Sequence, residues 1–80
     1  MSVSFVKKTD VKSAHRFFLN RQGKNVPVIM DVVEREDGTV WIVSPLMGRP
    51  QSRLSFADTV ASLIMIESAN GTLRRQERLV

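Results

Sequence analysis

The segment VPVIMDVVEREDGTVWIVSP, residues 26–45, holds two runs rich in β-branched residues on either side of Asp37-Gly38. Branching at Cβ restricts χ1 and suits a pleated sheet, while Asp-Gly supplies the positive φ angles that a tight reversal demands. The segment therefore reads as a β-hairpin with strands near 26–36 and 39–44. Pro27 has no amide hydrogen to give a ladder and belongs at a strand start or on an edge.

Taking Asp37-Gly38 as a two-residue loop pairs Glu34 with Trp41, Val33 with Ile42 and Val32 with Val43. Alternation then puts Val28, Met30, Val32, Trp41 and Val43 on one face, taken as the core face. Ile29, Asp31, Val33, Arg35, Val40, Ile42 and Ser44 fall on the other, which is also quite apolar. One helix covers one side of a small sheet, so the second side calls for more chain, a partner or a second copy.

The helix is expected over residues 55–70. Ser55 with Asp58 three residues on resembles a capping box with Asp for the usual Glu, and Asn70-Gly71 supplies the stop. Phe56, Val60, Leu63 and Ile64, with Ala61 and Ile66, trace an apolar stripe at helical spacing. Just upstream, GRPQSRLSF at residues 48–56 sets Arg49 and Arg53 four apart in a loop shaped by Gly48 and Pro50. Asp58 would partly neutralise an anion at that helix start, so the two arginines read as rim contacts rather than a phosphate cradle.

The first quarter admits two readings. SVSFV alternates like a short strand, and TDVKSAHRFFLNRQGKN reads either as a helix capped by Thr9 or Asp10 or as a strand ending in a turn. The strand is favoured, because the turn leads straight into a β run and Phe17-Phe18-Leu19 suits a pleated surface. After Gly71, TLRRQERLV reads as a short added strand or a loose basic tail.

Eighty residues make a single small domain, residues 1–80, able to bury about 60 to 65% of the surface its unfolded chain exposes. An apolar fraction of 42% with 25% charged residues is that of a globular protein. The absence of cysteine excludes disulfides, thiolate metal sites and a cysteine nucleophile, and suits a cytoplasmic setting. MSVSFVKKTD lacks the apolar core of a signal peptide, and the longest apolar run, LIMI at 63–66, is too short to cross a bilayer, so no membrane association is expected.

The net charge of +4 favours a polyanionic partner or an acidic protein surface. It is distributed in blocks. Lys7, Lys8, Lys12, Arg16, Arg21 and Lys24 face Asp10 alone in residues 1–25, a net of +5, while residues 26–48 carry −3. Arg49 and Arg53 restore +2, residues 54–71 bring −2, and Arg74, Arg75 and Arg78 against Glu77 leave +2 in the tail.

Catalytic chemistry has little to rest on. His15 is the single histidine, and neither a nucleophile elbow, a zinc-protease motif, a phosphate loop nor a dinucleotide fingerprint accompanies it. Acid–base work by His15 with Asp10 is the one enzymatic option, and a structural role for His15 is the plainer expectation. Asp31, Glu34, Glu36 and Asp37 lack calcium-loop spacing and read as solvated turn charge. No catalytic residue, metal site or cofactor is therefore expected.

Basic residues interleaved with aromatics carry more. On a strand Lys12, Ala14, Arg16, Phe18 and Asn20 share a face, joining cations to a ring that can stack. Trp41 is assigned to packing. A sheet followed by one helix is also the outline of several small DNA-binding domains, an analogy that transfers no site.

The expectation is thus an α+β fold, a small antiparallel sheet of three to four strands with one C-terminal helix on one face. The expected function is a non-enzymatic binding module for nucleic-acid phosphates. Its candidate contacts are Lys7, Lys8, Lys12, Arg16, Phe18, Arg21, Lys24, Arg49, Arg53, Arg74 and Arg75. The alternative is a protein-binding inhibitor or regulatory protein of the mobile-element kind, using the apolar second sheet face with a basic rim, with homodimerisation as one way to cover that face.

Overall fold

A computed structural model describes residues 10–20, 27–44, 48–51 and 53–80, the side chains of Arg49 and Gln51 excepted. Lys7, Lys8, Arg21 and Lys24, and the strand expected in SVSFV, lie outside the described residues. The fold is α+β, an antiparallel sheet with one helix across one face. The elements are β1 (Val11–Leu19), β2 (Val28–Arg35), β3 (Val40–Val43), a short β4 (Gly48–Gln51), α1 (Phe56–Ala69) and β5 (Leu73–Arg78). They lie in the order β4-β3-β2-β1-β5, so that the last strand crosses the sheet to pair with the first.

Four strands, β3-β2-β1-β5, form the body of the sheet, and β4 adds a short edge to β3. Residues 48–51, expected as loop, pair with β3, and Pro50 is tolerated there because an edge strand need not donate on both sides. The tail forms the added strand β5 rather than a loose end. Residues 11–19 take the strand reading, and their β-branched and aromatic content fits it.

The hairpin forms, but its register differs by one residue from that expected. Val33 pairs with Trp41 and Glu34 with Val40, because the loop has three residues rather than two. The Gly38 amide donates to the Arg35 carbonyl at 2.9 Å, the Arg35 amide donates to the Thr39 carbonyl at 2.9 Å, and Gly38 alone has positive φ, at 88°. This is a type I reversal closed by a left-handed glycine, the other loop that Asp-Gly supports. A slip of one residue sends every following side chain to the opposite face. Val40 and Ile42 therefore join Val32 and Met30 beneath the helix, while Trp41 and Val43 join Val33 and Asp31 on the far side, a correction to the core-face assignment of Trp41.

The helix boundaries match the sequence signals. Ser55 Oγ accepts from the Asp58 amide at 3.1 Å, and Asp58 places negative charge in the first turn. At the other end Gly71, with φ of 71°, lets the Thr72 amide reach back to the Glu67 carbonyl at 2.9 Å and its own amide reach the Ser68 carbonyl at 3.1 Å. That paired return is the Schellman motif, available to glycine because it has no Cβ. The buried Glu67 carboxylate accepts from the Thr72 hydroxyl, which ties the helix end to the first turn after it.

Phe56, Val60, Leu63 and Ile64 pack from α1 onto Phe17, Leu19, Val32 and Val40, with Met30 and Leu73 around them. Full burial of a side chain such as Phe17 or Leu19 is worth roughly 1.5–3 kcal/mol. Ile66, included in the expected stripe, is 51% exposed instead, because its angular position carries it past the sheet. Two register shifts make this layer fit. One extra residue, Lys12, separates Val11 from Ser13 opposite β2, and one extra residue, Arg74, separates Leu73 from Arg75 opposite β1. The second lets Leu73 face the helix while Arg75 faces away.

On the far side Ala14, Val33 and Val43 form a second buried cluster, flanked by Val11 and Trp41. Val33, at the centre of the apolar surplus expected there, is thus buried with Asp31, while Ile29 and Trp41 are half-buried. Among the described residues no helix is long and apolar enough to cross a membrane.

Candidate functional site

The far face of the sheet is organised in rows set by strand pairing. One row runs Glu77, Arg16, Asp31 and Val43 across β5, β1, β2 and β3. Here Arg16 donates through Nε and Nη2 to the two Asp31 oxygens at 2.8 and 2.9 Å. Asp31, expected as solvated turn charge, is buried in this bidentate pair. The hydrogen bonds it donates to Asp31 hold the Arg16 guanidinium above its ordinary pKa against the opposing effect of burial, and the charges of Asp31 and Glu77 add to the rise. Arg16 is therefore engaged inside the fold, its side chain 16% exposed.

The neighbouring row runs Arg75, Phe18 and Ile29 across β5, β1 and β2. The guanidinium carbon of Arg75 lies 4.1 Å from the centre of the Phe18 ring, at stacking distance. Arg75 also reaches Glu77 Oε1 at 3.0 Å, yet its side chain remains 64% exposed. Phe18 and Ile29 are half-buried, in contrast to Ala14 and Val33 of the closed cluster two rows along.

β5 has a strand partner on one side only among the described residues, and Arg74, Arg75, Gln76 and Arg78 are all exposed. Within six residues it offers three arginines against Glu77. Arg75 faces away from the helix, Arg78 faces toward it across from His15, and Arg74 sits at the bulge, so the cations straddle the edge. Arg78 Nε donates to the Val80 carbonyl at 2.9 Å. Arg74, Lys12 and Arg53 are exposed without an ion-pair partner among the described residues.

The pairing of β1 with β5 thus brings Phe18 opposite Arg75 and Arg16 opposite Glu77, while Lys12 lies beyond the paired stretch. Arg53 stands apart in the approach to α1, and Arg49 is placed by its backbone alone, opposite Ile42. Asp10, considered as a partner for His15, instead lies 3.5 Å from Arg35. His15 Nε2 meets Gln76 Oε1 at 2.7 Å, its ring packs 5.1 Å from that of Phe17, and it borders an open groove of about 420 Å³ floored by Phe56, Val60 and Ile64. Trp41 Nε1 donates to Thr39 Oγ1 at 3.2 Å, and Arg35 lies over the indole at 5.9 Å.

The stack of Arg75 on Phe18 is not readable from sequence, since 57 positions separate the two residues and the bulge at Arg74 fixes which face Arg75 takes. The basic composition of RRQER was the one available signal. No protein-family model matches the chain, and neither curated proteins nor solved structures yield a match.

Proposed function

We propose that the chain is a non-enzymatic nucleic-acid-binding module whose contact surface is the basic edge formed by β5 and the adjoining part of β1. The observation that carries this reading is the concentration of Arg74, Arg75 and Arg78 on one exposed edge strand directly beside Phe18. Guanidinium groups pair with phosphate oxygens and also stack on planar rings, so a basic edge beside an aromatic suits a polyanion that carries bases. Lys12 is a further exposed cation, at the far end of β1 beyond the stretch paired with β5. Arg16 is left out of the contact set, because Asp31 already satisfies it.

Fluorescence anisotropy with labelled DNA and RNA at low salt tests the proposal. Binding is expected to weaken with salt by a log–log slope of roughly 0.7 to 0.9 per phosphate neutralised. Reversing Arg74, Arg75 and Arg78 to Glu together is expected to abolish it. Absence of binding to every nucleic acid at low salt would refute the reading.

A second reading, a protein-binding module, is favoured by a different observation. The outer surface of α1 exposes Met65 to 72% and Ile66 to 51%, with Leu54 beside the helix start and Asp58 as the one exposed charge on the helix. The exposed apolar surface that motivates a protein partner is on the helix, the centre of the far sheet face, at Ala14, Val33 and Val43, being buried. A sedimentation series showing a monomer at all concentrations would remove self-association as its explanation.

A further inference from the structure

Resting on the nucleic-acid reading, we infer that the site takes single-stranded nucleic acid and that the Phe18–Arg75 pair is a stacking platform for one unpaired base. Arg75 is poorly arranged to act as a phosphate clamp. One carboxylate oxygen of Glu77 already occupies an N–H of its guanidinium at 3.0 Å, and its carbon sits 4.1 Å above the Phe18 ring. A guanidinium engaged at its rim and covered on one flat face has its other flat face left, and this side chain is 64% exposed. A planar, cationic, solvent-facing surface backed by an aromatic ring matches the π-face of a nucleobase.

The surroundings favour the same ligand. Ile29 continues the row beside Phe18 and is half-buried, so it offers an apolar shoulder to a base edge. The next row on the same face is the Arg16–Asp31 pair, which gives the platform a fixed neighbour. Arg74, exposed at the bulge beside Arg75, is the cation placed for a phosphate next to a stacked base, while Arg78 projects from the opposite face of the strand. In a duplex the base faces are consumed by their neighbours and only edges and backbone are presented, so a platform approached face-on selects an unpaired strand.

The test compares three probes against the full chain: a fluorescein-labelled oligothymidine, the same strand annealed to its complement, and an abasic strand with equal phosphates. Unlabelled polyglutamate serves as competitor. The single strand is expected to bind most tightly, with the abasic strand weaker by about 5- to 150-fold, the range for loss of one stacked base. Phe18→Leu, which keeps apolar volume without the ring, and Arg75→Lys, which keeps charge without the plane, should each weaken oligothymidine binding and leave abasic binding nearly unchanged. Equal affinity for all three probes, unaltered by either variant, would overturn the platform while preserving the phosphate reading. Failure of every probe to bind would remove both, and displacement by polyglutamate as readily as by oligothymidine would assign the edge to acidic proteins.

Discussion

Arg16 and Arg75 lie on adjacent strands, on the same face of the sheet, one row apart, and have opposite fates. Arg16 is locked to a buried carboxylate with 16% of its side chain exposed, while Arg75 rests on a ring with 64% exposed. Their chemistry is identical. The difference comes from position: Arg16 sits in a strand flanked on both sides and faces Asp31 across β2, whereas Arg75 sits on the edge strand, where one flank has no neighbour among the described residues. A cation in the interior of a sheet is drawn into the fold's own charge balance, and a cation on its edge stays available to a ligand.

The sharpest way to break that comparison is to remove each arginine in turn. Arg16→Ala leaves Asp31 buried without its counter-charge and is expected to cost about 3–5 kcal/mol in a urea titration. If Arg16 were instead a ligand contact, stability would hardly move. The double variant Arg16→Met, Asp31→Leu should recover most of the loss, since a buried ion pair exchanged for apolar volume is close to neutral. It should also keep nucleic-acid affinity intact.

Arg75→Ala is expected to do the reverse. Its exposed pair with Glu77 contributes at most about 1 kcal/mol to folding, so the urea midpoint should shift little. Affinity for oligothymidine should fall by about 5-fold or more. A large stability loss with unchanged binding would make Arg75 a structural residue like Arg16.

An exposed carboxylate, Asp37, gives the smallest effect. Asp37 is fully exposed and accepts from the Thr39 hydroxyl at 2.6 Å and the Thr39 amide at 3.0 Å, bonds that hold its pKa below the ordinary 3.8. A depressed pKa contributes stability above the ordinary value, and that contribution is lost as pH falls below 3.8 through the folded value. Acid titration of the thermal midpoint should therefore show a small decline in that range that Asp37→Asn removes. An unchanged profile in the variant would show that the turn does not depend on the carboxylate's charge.

Local chemistry made much of the fold legible. Asp37-Gly38 located the reversal, Ser55 with Asp58 opened the helix and Asn70-Gly71 closed it, each within a few residues of the feature it controls. The register escaped because Asp-Gly serves both two- and three-residue loops, and because Val32 and Val33, like Trp41 and Ile42, are apolar on both faces. With no polar side to the strands, alternation cannot choose. Salt-bridge partners escaped for another reason: Arg16 and Asp31 meet through a strand register that sequence does not reveal. The basic edge was half legible, its composition plain in RRQER but its stacking partner hidden until β5 was seen to cross to β1.

The extra residue at Arg74 separates two obligations within one short strand. Leu73 answers to the hydrophobic layer beneath the helix, and Arg75 with Glu77 answers to the far face, with the bulge isolating one from the other. Substitutions among Arg75, Gln76, Glu77 and Arg78 can then retune what the edge recognises without disturbing the anchor at Leu73. The strand is in that sense modular: its first residue secures it to the body of the protein, and the rest is a surface open to revision.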